Sequence, residues 1–176
     1  MRTILAILLC TGALLTAGEN SGRRAPGFAL PDSKMQVVDL ADYRGKIVLL
    51  DFMQTNCAHC GTFSDVLERV QQKYGDQVAI LAVVNSGGDN QNTVAQYISG
   101  HRITYPVLFD AGQMAYSYLL KTHFDTPCVF LIDAGGTIKN DWEYSLITHD
   151  IFEGNGLMPE IDSLLSGKAA PRKTKK

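Results

Sequence analysis

Hydrophobic and polar positions divide the chain into an apolar leader, a polar stretch, and a body in which strand-like and helix-like patterns alternate. Residues 47–52, Ile-Val-Leu-Leu-Asp-Phe, are a short β-rich run of the kind that fills a buried strand. Phe63, Val66, Leu67, Val70 and Tyr74 then recur at helical spacing, which predicts a helix over 57–74 with one apolar face, ended by Gly75-Asp76. Residues 78–84 are apolar without interruption and predict a strand covered on both faces. Beyond a polar loop at 85–92, the pattern predicts a short helix over 93–100, capped by Asn92 or Thr93 and stopped by Gly100. An extended piece at 105–109 and another short helix over 113–121 follow. Residues 128–133 read as a third strong strand, Ala134-Gly135-Gly136 as a turn, and 137–143 as its hairpin partner. The closing helix, 150–166, is expected to become regular late, because Gly154, Gly156 and Pro159 fall in its first half. Ahead of the first core strand, 28–30 and 35–40 flank a turn at Pro31-Asp32-Ser33 and predict a small hairpin. This order gives an α/β fold, a central mixed sheet with helices on both faces and a right-handed first crossover.

The chain ends carry a different message. Met1-Arg2-Thr3, the apolar run 4–15 and Thr16-Ala17-Gly18 have the positive, hydrophobic and small-residue regions of a signal peptide, so 1–18 is expected to be removed on export. At about 12 to 14 residues the run is short for a membrane span, which needs about 20; an uncleaved N-terminal anchor is the competing reading. Cys10 lies in that run behind the bulky Leu9, which argues against lipid attachment. Residues 19–24 read as a polar linker, 25–167 as one domain, and 168–176 as a basic, solvated tail. The chain has 176 residues and a formal net charge of −2, enough for one compact domain, and no basic stripe in its body points to nucleic acid.

The chemistry lies where the first core strand meets the first helix. Cys57 and Cys60 are separated by two residues and can close a disulfide across the first helical turn. Unsatisfied N–H groups and the positive end of the helix dipole at that place favour a thiolate over a thiol, and thiolates are the nucleophiles of thiol-disulfide exchange. A zinc site would want a second pair of ligands at similar spacing, and the sequence has none. A purely structural clip of this size constrains little of the unfolded chain. Export would leave Cys57, Cys60 and Cys128; the spacing makes Cys128 the odd one, most simply an inert buried thiol, otherwise a third redox partner or metal ligand.

With the order of elements, Cys57-Ala58-His59-Cys60 and Thr126-Pro127 resemble the thioredoxin fold. Ala25-Pro26-Gly27-Phe28, the run Leu40-Ala41-Asp42-Tyr43-Arg44-Gly45-Lys46, the insertion over 85–123 and the strand opening at Cys128 resemble, more narrowly, the exported TlpA/ResA type of thiol-disulfide oxidoreductase. The resemblance covers residues 25–143. It implies that Cys57 attacks, Cys60 resolves, and Asp51, six residues before Cys57, takes up the proton of the resolving thiol. It also implies a cis Thr126-Pro127 peptide facing the cysteines, with the Thr126 backbone pairing with an extended substrate. His59 is expected to tune the pair, since a protonated imidazole beside the thiolate would stabilise the anion. Cys128 would begin the strand beside the site, near Asp51 or Cys60. Three departures stand out: Asn56 where Trp is usual, Ala-His between the cysteines, and Cys128 where Thr is common.

The resemblance implies protein thiol or disulfide substrates, apocytochrome c among the candidates, a membrane electron donor, a monomer and no cofactor. Ala58-His59 leans towards an oxidant and the TlpA/ResA resemblance towards a reductase; reductase or interchange activity is the reading adopted. Two other classes compete. A copper-binding module would use Cys57, Cys60 and a His, but such modules space their cysteines by three residues and supply a His beyond the proline. A peroxidase of the peroxiredoxin kind would need a Thr where Gln54 stands. His101, His123 and His149 are expected to be structural or surface groups, and Trp142 a rim residue of the hairpin.

Overall fold

The computed structural model describes residues 18–84, 87–120 and 124–167. Residues 1–17 of the expected signal segment, with Cys10, then His123 and the basic tail fall outside these. A five-stranded sheet, ordered β5-β4-β3-β6-β7, forms the centre. β3 (Ile47–Met53) lies between β4 (Val78–Val84), to which it is parallel, and β6 (Cys128–Ile132), to which it is antiparallel. β5 (Val107–Phe109) adds in parallel to β4, and β7 (Ile138–Glu143) returns against β6. The predicted hairpin is a separate two-stranded ribbon, β1 (Ala29–Pro31) with β2 (Val37–Asp39), followed by a 3-10 turn at Leu40–Tyr43.

Alternation along the buried strands splits the interior into two layers. Ile47, Leu49 and Met53 of β3 join Ile80, Ala82, Val129 and Leu131 in a core beneath α1 (Ala58–Tyr74), α2 (Gln91–His101), α3 (His149–Phe152) and α4 (Leu157–Leu165). Val48, Leu50 and Phe52 face the other way, with Phe130, Ile132 and Tyr118. There the cover is the ribbon, the 3-10 turn and a single π-helical turn, Ala115–Leu119, in place of a regular helix over 113–121. Tyr118 is fully buried among Phe28, Phe52 and Phe130, and its hydroxyl donates to the Pro26 carbonyl at 2.6 Å.

Three local expectations change. The α2 cap is Asn90, whose side chain accepts from the N–H groups of Asn92 and Thr93, while the Thr93 hydroxyl accepts the Asn90 N–H. That reciprocal capping box starts the helix two residues early. The closing helix is two pieces, because Gly154 takes φ +90° between α3 and α4. Residues 19–24 are more than a linker. The Gly22 N–H donates to the Ile138 carbonyl and the Ile138 N–H to the Arg23 carbonyl, Asn20 bonds Asp141, and Arg23 reaches the carbonyls of Ser117 and Tyr118.

Candidate active site

Cys57 is the N-cap of α1, in an extended backbone conformation (φ −92°, ψ 115°), and its Sγ accepts the Cys60 N–H at 3.2 Å. A helix start with its free donors turned towards sulfur is the arrangement the spacing predicts. Cys57 is half-buried, whereas Cys60, one turn in, is fully enclosed against the helix-side core. The loop before Cys57 is held from two sides: Cys57 N–H donates to the Gln54 carbonyl, and Thr55 donates through N–H and hydroxyl to the Asp89 carboxylate at 3.2 and 2.5 Å.

Thr126-Pro127 is a cis peptide, as expected, and the Cys57 thiol points at the Thr126 carbonyl at 3.6 Å. Asp51 follows the alternation of Leu49 and Met53 and therefore lies on the Cys60 side of the sheet. It has no exposed surface, and neither carboxylate oxygen has a hydrogen-bond partner. Burial pushes its pKa up to about 8. Burial first, and then the charge of Asp51, push the Cys60 thiol well above the usual cysteine range. Tyr105, whose buried hydroxyl also has no partner, is raised by burial and, more weakly, by Asp51. The Ser64 and Tyr97 hydroxyls pair nearby at 2.8 Å. A nucleophile at the surface, a second thiol below it and a carboxyl group poised near neutrality form a competent set for moving two electrons and a proton.

His59 projects from the exposed first turn of α1 and stacks on Tyr144, ring centroids 4.0 Å apart and 20° from parallel. Tyr144 was not legible as a site residue; it immediately follows β7, 85 positions from His59, and nothing local marks it. Its N–H donates to the Pro127 carbonyl at 3.0 Å. Cys128 corrects an expectation: it pairs with Phe52 rather than Asp51, so alternation turns it into the opposite layer, away from Cys60. His101 covers Gly61 so closely that a Cβ there would meet its ring at 2.8 Å, and it pairs with Asp65. His149 pairs with Glu153 on the surface. Trp142 packs at the margin of the helix-side core. Among the described residues, no cluster of three or more His, Cys, Asp or Glu side chains is arranged to hold a metal ion. A groove lined by Gly45, Ile47, Gln77 and Leu164 lies at the far end of β3 from Cys57.

The model of the AhpC/TSA family matches residues 21–141. Thiol-disulfide oxidoreductase ResA of Geobacillus thermodenitrificans is 29% identical over 161 residues, covering 86% of this chain and 90% of its own. The ResA of Geobacillus kaustophilus is 32% identical over 132 residues, 74% of this chain and 73% of its own. Among solved structures, a Chlorobium tepidum protein assigned as thiol:disulfide interchange protein DsbE superposes with a TM-score of 0.66 at 28% identity, covering 78% of this chain and 96% of its own. The chain belongs to the AhpC/TSA family and is a thioredoxin-like redox enzyme of the thiol-disulfide oxidoreductase type.

Proposed function

We propose that the protein is exported and reduces or interchanges disulfides of other proteins through Cys57 and Cys60, with a membrane-bound donor returning it to the dithiol state. The observation that carries this reading is the pairing of a half-buried Cys57 at the start of α1 with an enclosed Cys60 above an unpartnered Asp51. The Cys57 thiolate attacks one sulfur of a substrate disulfide, forming a mixed disulfide and releasing the other sulfur as a thiolate. Asp51 takes the proton of the Cys60 thiol, Cys60 attacks Cys57 Sγ, and the second substrate thiolate leaves. Two electrons have passed to the substrate and the enzyme holds the Cys57–Cys60 disulfide. Thr126 and Pro127, next to the attacking sulfur, are the place for an extended substrate segment. His59 stabilises the Cys57 anion and sets the redox balance of the pair. Apocytochrome c is the substrate class favoured by the TlpA/ResA resemblance.

An insulin-reduction assay tests the cysteine roles. Cys57→Ser is expected to abolish turnover, and Cys60→Ser to accumulate a covalent adduct with substrate. A Cys60→Ser protein that collects no adduct while wild type turns over would remove the attack-and-resolve sequence. For export, the N-terminus of protein recovered from outside the cytosol should begin after Ala17 or Gly18.

A further inference from the structure

We propose that Tyr144 is a positioning residue of the redox site, fixing the orientation of the His59 ring on the turn that carries Cys57 and tying it to the loop that carries Thr126 and Pro127. This role rests on the tuning function proposed for His59.

An imidazole on the exposed first turn of a helix would ordinarily exchange between rotamers. Here one face of the His59 ring lies flat on Tyr144, close enough for full van der Waals contact. Tyr144 is itself held in place. Its ring meets Phe152 edge-on at 5.5 Å, Phe152 meets the buried Phe63 of α1 at 4.8 Å, and His149 meets the Tyr144 ring edge-on at 6.2 Å. The backbone is fixed as well, by the Tyr144 N–H bond to the Pro127 carbonyl. Tyr144 therefore connects the Cys57-Ala58-His59-Cys60 turn, through its ring, to the Thr126-Pro127 loop, through its backbone N–H. An aromatic face accepts a cationic ring as well as a neutral one, so the contact survives the protonation that His59 needs for its role.

Loss of the brace should weaken the stabilisation of the Cys57 thiolate and favour the disulfide. The measurement is the equilibrium of the dithiol enzyme plus oxidised glutathione with the disulfide enzyme plus two reduced glutathione molecules. Tyr144→Leu is expected to shift this constant towards the disulfide by roughly threefold, in the same direction as His59→Ala. Tyr144→Phe keeps the ring face and should retain the wild-type constant. In a His59→Ala background, Tyr144→Leu should add nothing. Wild-type behaviour of Tyr144→Leu alongside a shifted His59→Ala overturns the positioning role alone, as does an equal Tyr144→Leu shift with and without His59. A wild-type constant in His59→Ala overturns the tuning role and the brace with it. The His59 ring-proton resonances give a second reading in the folded variants. They should carry the Tyr144 ring-current shift in wild type and Tyr144→Phe and lose it in Tyr144→Leu; resonances unmoved by that change also overturn the stack.

Discussion

Asp51 is enclosed at the middle of β3 with both oxygens unpartnered, so its neutral form suits the fold and its charged form does not. Its pKa rises from 3.8 to about 8. The sign follows directly: the contribution to stability is complete below about pH 4 and is lost as pH climbs to and through about 8, by up to about 1.4 kcal/mol per pH unit. Asp51→Asn removes that titration. The variant should gain on wild type between pH 5 and pH 8 in urea unfolding, and an advantage that does not grow over this interval would rule out burial as the cause. The same change should slow release of substrate from the mixed disulfide by about a hundredfold, the usual loss for a general base. Wild-type release should accelerate as pH rises and level off above about 8, whereas the slower variant should show no levelling there, since its rate follows only the ionisation of Cys60. The place of Cys57 and Cys60 at the start of α1 was legible from their spacing, and Asp51 came into view only through the resemblance to the thioredoxin fold. Cys128 was legible as buried, but its expected place near Asp51 or Cys60 was not met, since it pairs with Phe52 and neighbouring residues of a strand face opposite ways. Tyr144 and the approach of His101 to Gly61 arise from distant parts of the chain meeting, and no local pattern announces them.

Elements with long, uniform apolar runs were read nearly to the residue: β3, α1, β4 and β6 sit where the periodicity puts them. Short elements were not, because their form is decided by a few side chains and by tertiary cover. The α2 start shows how. Asn90 carries the cap, and Asn92, one of the residues expected there, is exposed and instead donates its N–H to it. Asn90→Ala should therefore cost about 1 kcal/mol in thermal or urea unfolding, whereas Asn92→Ala should be close to neutral. The turn between β6 and β7 has an equally local requirement. Gly136 takes φ +81° with the Arg44 guanidinium against it, so Gly136→Ala combines backbone strain with displacement of Arg44. A loss of more than about 1 kcal/mol is expected, and a stable variant would show that the turn relaxes.

The whole molecule is asymmetric about its sheet. Four helices lie over one face, and that face also holds Cys57, Cys60 and Asp51; an aromatic layer beneath the ribbon and the Tyr118 turn closes the other. Residues 18–24 finish this second side by running along β7 and gripping the π-helical turn through Arg23. Joint replacement of Asn20 and Arg23 by alanine should lower global stability by about 2 kcal/mol, while leaving alkylation of Cys57 unchanged. The sheet also keeps one sulfur apart from the other two. Cys128 is about 1% exposed in the aromatic layer, so a thiol dye that readily reaches Cys57 meets Cys128 only after the sandwich comes apart. Its delayed labelling would time the opening of the entire molecule, giving the protein an internal stopwatch for its own unfolding that is separate from Cys57 and Cys60.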